Sequence, residues 1–330
     1  MQDRYLIGEW LIAIEYEEKD IKKYLEKEMT YMLGEKGKYD YKIVINFTEC
    51  KEGDELSARL RKIYVKKSPE RIIVNLERKS IWKDIIFKTI SPFFESRLQA
   101  SLIDFFHNTF LGILETHLIE NKKTLFHASG YIDKDDAILF LGSGQSGKST
   151  IVRTLCKTHK IISEDYCILS TDGNVESLPI MTCTEPNWET MNFLEKINYM
   201  IVKYLEKKKP MRHVAFDEIY GIPAHRAKVK TIYVIERCEI KDSMIYIDKI
   251  EKDEFIQFFR DVMMNEMLNW RGYIHEGSYE ERKMKEKLAD FADECYEKYL
   301  IKKIIIPIIN KPKELGKLVE EAIYDRTNNI

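Results

Sequence analysis

Eight consecutive residues carry the clearest chemical signal in the chain. Gly142-Ser143-Gly144-Gln145-Ser146-Gly147-Lys148-Ser149 fits the pattern G-x-x-x-x-G-K-[ST]. The residue types suit an anion. Glycines let the backbone close around a phosphate, because they adopt dihedrals that other residues avoid. A helix opening at the end of such a loop turns free N–H groups, and the positive end of its dipole, toward the same place. In this pattern the lysine, here Lys148, reaches the β- and γ-phosphates, and the Ser149 hydroxyl meets Mg²⁺. Thr150 closes the set of nucleotide-contacting candidates. About fifteen residues further on stand Glu164 and Asp165. One carboxylate beside the loop can join the Mg²⁺ shell, and the other can accept a proton from an attacking hydroxyl. Two adjacent acids also read as turn residues. His127 stands upstream, on a strand expected to turn back and pair with the strand entering the loop. A lone histidine is as often structural as functional.

These residues need elements to position them. Residues 137–141, Ala-Ile-Leu-Phe-Leu, have the length and character of a buried strand. Ile151, Val152 and Leu155 share one helical face directly after the loop. Residues 125–132 read as a strand, and Asp133-Lys134-Asp135-Asp136 as the polar turn that follows it. Residues 160–162 form a short strand that delivers Glu164 and Asp165. A hairpin follows from Cys167, turning at Asp172-Gly173.

Around this centre the patterns are those of a mixed α/β chain. Strands are expected at 6–14, 42–48, 63–65, 72–74, 231–236, 244–247 and 304–309. Helices are expected at 20–32, 185–209, 254–268 and 313–324. Ser91-Pro92 should open a long helix whose apolar stripe runs from Phe94 to Leu118, and Ser278-Tyr279-Glu280-Glu281 reads as a capping box for another. Such stripes are core before they are anything else.

The chain has 330 residues, enough for two domains. Lys plus Arg is 53 and Asp plus Glu is 55, which argues against a general nucleic-acid binder. At 44% hydrophobic, the composition is that of a folded globular protein. The six cysteines show no C-x-x-C spacing, so a reducing compartment is expected and a zinc site is not. No apolar run has the length of a membrane span, and the N-terminus lacks the features of a signal peptide. The expectation is a soluble, cytoplasmic protein with neither nucleic acid nor membrane as partner. A homo-oligomer stays open.

Taken together, His127, the 142–149 loop and the Glu164-Asp165 pair resemble the HPr kinase/phosphorylase family. The resemblance covers residues 121–178, less than a fifth of the chain. It implies an α/β fold with the phosphoenolpyruvate-carboxykinase-like nucleotide-binding domain, an N-terminal α+β region and C-terminal helices. On this reading residues 1–118 form the N-terminal region, with a part in acceptor recognition, and residues 119–330 the kinase domain. It implies ATP and Mg²⁺ as cofactors. It further implies that Glu164 acts on the proton of a serine or threonine hydroxyl, and that Asp165 and Ser149 hold the metal.

The chain departs from the family in two ways. Glu164 stands where the family has aspartate. Gly221-Ile222-Pro223-Ala224-His225-Arg226-Ala227-Lys228 stands in place of the family's glycine- and arginine-bearing signature. A divergent kinase of a hydroxyl-bearing peptide or protein is the expectation, with free serine as the small-molecule alternative. A competing reading takes Val214-Ala215-Phe216-Asp217-Glu218 as a Walker B strand of an ordinary ATPase. Arg212, Arg226 and Lys228 are candidate cations near a transferred phosphoryl group.

Overall fold

The computed structural model describes residues 1–7, 10–17, 19–34, 40–48, 63–67, 71–77, 102, 105–180, 182–184, 188–189, 191, 193, 196–197, 199–200, 203, 212–238, 244–269, 279–307 and 314–327. The architecture is mixed α/β, with an N-terminal sheet and C-terminal helices. Two compact units form. One gathers Met1–Phe110, Ile180–Ala215 and Arg271–Tyr273, the other Leu111–Pro179, Phe216–Trp270 and Ile274–Ile330.

The first unit holds a sheet of order β1-β2-β3-β5-β4. A single strand was expected over 6–14, but the chain forms a hairpin of β1 (Gln2–Ile7) and β2 (Trp10–Tyr16) in antiparallel register. Tyr5 and Ile7 are buried while Leu6 between them is exposed, so period-two alternation already runs before residue 8. The helix α1 (Lys19–Glu28) stops earlier than expected and is followed by a 3₁₀ turn at Thr30–Met32. The strands β3 (Tyr41–Thr48), β4 (Ile63–Lys67) and β5 (Arg71–Glu77) complete the sheet, with β2, β3 and β5 mutually parallel. The expected helix start at Ser91-Pro92, the capping box at Ser278 and most of the expected 185–209 helix lie outside the described residues. Of the expected long helix, the described part is π-helical at Phe105–Phe110 and α-helical from Leu111.

The second unit opens with α2 (Leu111–Leu118). The strand expected over 125–132 is two strands, β6 (Lys123–Phe126) and β7 (Ala128–Asp133), meeting at His127. They separate because β6 pairs with β10 (Cys167–Ser170), whereas β7 pairs with β8 (Asp136–Leu141) and β9 (Ile161–Ser163). Between β8 and β9 runs α3 (Lys148–Leu155). The hairpin partner of β10 is β11 (Asn174–Ser177), and Gly173 supplies the positive φ at their turn.

The chain returns to the first unit for a separate antiparallel pair, β12 (Thr182–Thr184) and β13 (Arg212–Val214). The second unit resumes with α4 (Asp217–Tyr220) and the long strand β14 (Arg226–Cys238). β14 runs parallel to β8 along one edge. Along the other it pairs with β11 and then, in parallel, with β16 (Leu300–Pro307). The strand β15 (Tyr246–Lys249) adds to β16. Three further helices are α5 (Lys252–Asn269), α6 (Tyr279–Lys298) and α7 (Leu315–Thr327).

Alternate residues of the sheet feed two layers. Ile138, Phe140, Tyr233, Ile235, Ile304 and Ile306 pack with Ile151, Val152 and Leu155 of α3 and Leu315 and Val319 of α7. Lys303, of opposite parity in β16, pairs with Glu254 of α5, which places α5 on the other face. There Phe126, Phe259 and Phe291 stack in series.

Glu115 of α2 ties that helix to β6. Its carboxylate is fully buried and accepts hydrogen bonds from the Thr124 hydroxyl at 2.6 Å and the Leu125 N–H at 2.6 Å. Burial pushes its pKa up to about 7 from 4.5, and the two hydrogen bonds offset only part of that. Between those values the folded chain keeps a proton that the unfolded chain has released. Stability therefore falls as pH rises through the window and levels off above it. Urea midpoints measured from pH 5 to pH 8 should show this slope in the wild type and a flatter profile in Glu115→Gln. Parallel profiles would disprove the assignment.

Candidate functional site

Register brings the chemistry-bearing residues to one end of the strands β7, β8 and β9. β7 is antiparallel to both β8 and β9, so those two run in the same direction. Gly130 pairs with Leu139 of β8 on one side and with Ser163 of β9 on the other, and Ala128 pairs with Leu141. Gly142 after β8, Glu164 and Asp165 after β9, and His127 before β7 therefore emerge together. Two hydroxyls fasten this end. Ser163 donates to the Ala128 carbonyl at 2.5 Å, and Ser129 donates to the Glu164 carbonyl.

The 142–149 segment is a compact turn between β8 and α3. The Ser146 N–H donates to the Ser143 carbonyl at 3.2 Å, and the Ile151 N–H to the Gly147 carbonyl at 3.0 Å. Gly147, the residue before α3, has φ +103°, and Gln145 also takes a positive φ. A methyl at Gly142 would lie 2.5 Å from Ser146 Oγ and 3.0 Å from its Cβ, so a larger residue here would have to push Ser146 aside. Ser146 Oγ is itself buried without a hydrogen-bond partner. Lys148 is buried and donates to the Gly142 carbonyl at 2.6 Å and the Ser143 carbonyl at 3.2 Å, so its ammonium lies against the loop. Ser149 and Thr150 follow in the first turn of α3.

The two acids have different surroundings. His127 Nε2 lies 3.0 Å from Asp165 Oδ1; the histidine side chain is 8% exposed and the aspartate 44%. The Tyr166 ring lies 5.1 Å from the imidazole. Glu164 instead interacts with Arg153 of α3 and Tyr220 of α4. Arg153 donates from Nε and Nη2 to the Tyr220 hydroxyl, both at 3.4 Å. Burial, then the Glu164 charge, push the Tyr220 phenol upward. The guanidinium of Arg153 is also raised: burial opposes this, but nearby Tyr220 and Glu164 outweigh it. Neither Arg153 nor Tyr220 belongs to a recognisable motif. An arginine one turn and a half into the helix after such a loop is the only signal that could have drawn attention to this group.

The competing Walker B segment has a different structure. Val214 ends β13, which pairs with β12 in a two-stranded sheet, and Asp217 and Glu218 form the first turn of α4. The apolar run is too short to cross a sheet, and the two acids next to it serve a helix N-terminus instead. Of the candidate cations, Arg212 belongs to β13 in the first unit, and the two on β14 stand away from the loop. Arg226 pairs with Asp172 at 3.6 Å, and Lys228 is in register with Asp136, the first residue of β8. Strand rise puts that end of β14 about 20 Å from the loop. The cation at the loop's own end of β14 is Arg237.

Among the described residues no three His, Cys, Asp or Glu side chains converge as a metal site, and no helix is long and apolar enough to cross a membrane. No family model matches the chain, and no curated protein does. Among solved structures, the HPr(Ser) kinase/phosphatase from Coxiella burnetii is similar to it at 12% identity and a TM-score of 0.27, over 62% of this chain and 94% of that one. The resemblance is weak and partial.

The glycines of the loop differ in a measurable way. Gly142→Ala should destabilise the protein by about 1–3 kcal/mol through overpacking against Ser146. Gly144, whose added Cβ meets nothing within 4 Å, should tolerate alanine within about 0.5 kcal/mol. Urea denaturation of the pair checks this, and equal losses would refute the steric account.

Proposed function

We propose that this protein is an ATP- and Mg²⁺-dependent kinase that phosphorylates a serine or threonine hydroxyl, of a peptide or protein in preference to free serine. The observation that carries the reading is the shared strand end: one antiparallel partner, β7, brings the ends of β8 and β9, with the loop and the Glu164-Asp165 pair, to the same level. The reading includes the finer assignments, a phosphoenolpyruvate-carboxykinase-like nucleotide-binding domain within residues 119–330 and acceptor recognition within residues 1–118.

The donor set suits a magnesium–nucleotide complex. Lys148, the N-terminus of α3 and the buried, unpartnered Ser146 hydroxyl are positive or hydrogen-bonding groups around one loop. Ser149 and Asp165 would hold the metal, because Mg²⁺ keeps several waters and takes one or two protein ligands plus phosphate oxygens. When bound, the ion supplies charge neutralisation on the phosphate oxygens. The chain's residues do the rest. The loop N–H groups and Lys148 fix the polyphosphate. His127 orients Asp165 through its 3.0 Å contact. Glu164 takes the acceptor proton, and Arg153 and Tyr220 hold its carboxylate in place. Phosphoryl transfer asks mainly for such positioning and electrostatic stabilisation. The ATPase alternative through Glu218 gains no support from an acid set in the first turn of α4.

Three variants separate the roles. With a non-hydrolysable ATP analogue and Mg²⁺, Lys148→Ala should bind at least tenfold more weakly, and Asp165→Asn should lose both binding and transfer. Glu164→Gln should keep its analogue affinity while transfer of labelled phosphate into a serine/threonine peptide library drops about 10²–10⁴-fold. Full transfer by Lys148→Ala or Glu164→Gln would end the proposal. ADP release without any acceptor would point to an ATPase, and binding with neither product to a nucleotide sensor.

A further inference from the structure

The phosphate loop has a second cation that no motif announces. Arg237 is the next-to-last residue of β14. Val234 is in register with Leu141, the last residue of β8, so Arg237 extends past the end of β8 to the level of the loop. Parity sets its face. Tyr233 and Ile235 belong to the layer beneath α3 and α7, and Arg237 continues that series. Glu236, between them, has the other parity and pairs with Lys303 at 3.4 Å. A Cβ built on Gly147 would lie 3.9 Å from Arg237 Nη2, and one built on Gly142 would lie 3.3 Å from the Cβ of Ile235. Its Nη1 donates to the Pro307 carbonyl at 3.4 Å. Among the described residues no carboxylate pairs with it. The loop thus gathers the Arg237 guanidinium, the Lys148 ammonium and the positive end of an eight-residue helix. Like charges brought together repel unless an anion sits among them. Close by, Ser146 Oγ is buried without a partner.

We infer that Arg237 is a phosphate-contacting residue of this site, and that with Lys148 it grips the polyphosphate chain of a nucleoside di- or triphosphate. The inference rests on the reading of the loop as a phosphate site and adds a residue to it. Guanidinium suits the task. It is charged at every working pH and offers several N–H donors in one plane, of which Nη1 holds Pro307 and leaves Nη2 toward the loop. Because its contact is with phosphate and not with the base or ribose, its contribution should be the same toward inorganic tripolyphosphate as toward ATP.

The test is calorimetric titration of the full chain with Mg²⁺ plus the non-hydrolysable ATP analogue, and separately with Mg²⁺ plus tripolyphosphate. The variants are Arg237→Ala, Arg237→Lys and Lys228→Ala, each checked for wild-type melting. Arg237→Ala should weaken both probes at least tenfold and by similar factors. Arg237→Lys should recover part of the loss, which a purely structural role through Pro307 would not give. Lys228→Ala, at the far end of the same strand, should match the wild type. Unchanged affinities in Arg237→Ala, against a wild type that binds, overturn this inference and leave the phosphate-loop reading intact. A weakening confined to the ATP analogue also overturns it. A wild type that binds neither probe overturns both.

Discussion

Everything at the candidate site depends on β7 being paired on both sides. A strand held between two antiparallel neighbours makes those neighbours parallel, and it fixes how far each advances. The central position is Gly130, paired with Leu139 and with Ser163. A Cβ there would come within 2.5 Å of the Leu139 side chain and 2.8 Å of the Ile138 carbonyl. A slip of one residue would move every inward side chain to the opposite face. It would also carry Glu164 and Asp165 away from the level of Gly142. The buried hydroxyls of Ser129 and Ser163 lock the register at the end where it matters.

The second constraint is how closely α3 is held. Its apolar side packs on the sheet, and α7 covers its flank within the same layer. Gly316 makes that covering tight, since a Cβ at this position would lie 2.6 Å from the Thr154 Cβ and 2.9 Å from the Ile151 carbonyl. The helix that opens at the loop is therefore held by the sheet beneath it and by a neighbouring helix. Its N-terminal N–H groups keep one direction, which is what an anion site needs in order to act without reorganisation. Behind it, His159 bridges the Ile132 carbonyl and Glu320 of α7. Asp133 receives Lys230 and the Tyr324 hydroxyl, each at 2.7 Å. These polar contacts gather at the far end of β7 and β8 and keep α7 seated.

The paired acids differ in what holds them. Asp165 leans on a buried histidine and stays partly open to solvent. Glu164 is tied to Arg153, which belongs to the helix that opens at the loop. A carboxylate at one strand end and α3 thus meet through a guanidinium and a phenol.

The sequence by itself determined the local elements around the loop. The apolar run at 137–141, the glycines, and the spacing of Ile151, Val152 and Leu155 each act within a few residues, so strand, turn and helix were legible without any partner. The Asp172-Gly173 turn was legible for the same reason. Tertiary structure alone decided what depends on distant pairing. The break at His127 exists because β6 and β7 join different neighbours, and no local pattern marks it. The fate of Asp217 and Glu218 turned on Val214 pairing with Thr182, which sets that segment in another sheet. Arg226, Lys228 and Arg237 look alike along the chain, all basic residues in one β-rich stretch. Only the parallel register of β14 with β8 shows that the first two stand at the remote end and the third at the loop. Arg153 and Tyr220 stand 67 positions apart in sequence, and folding alone brings them together beside Glu164. Short-range chemistry is written in residue order, whereas the meeting of distant charges is set by register, and register is a property of the whole sheet.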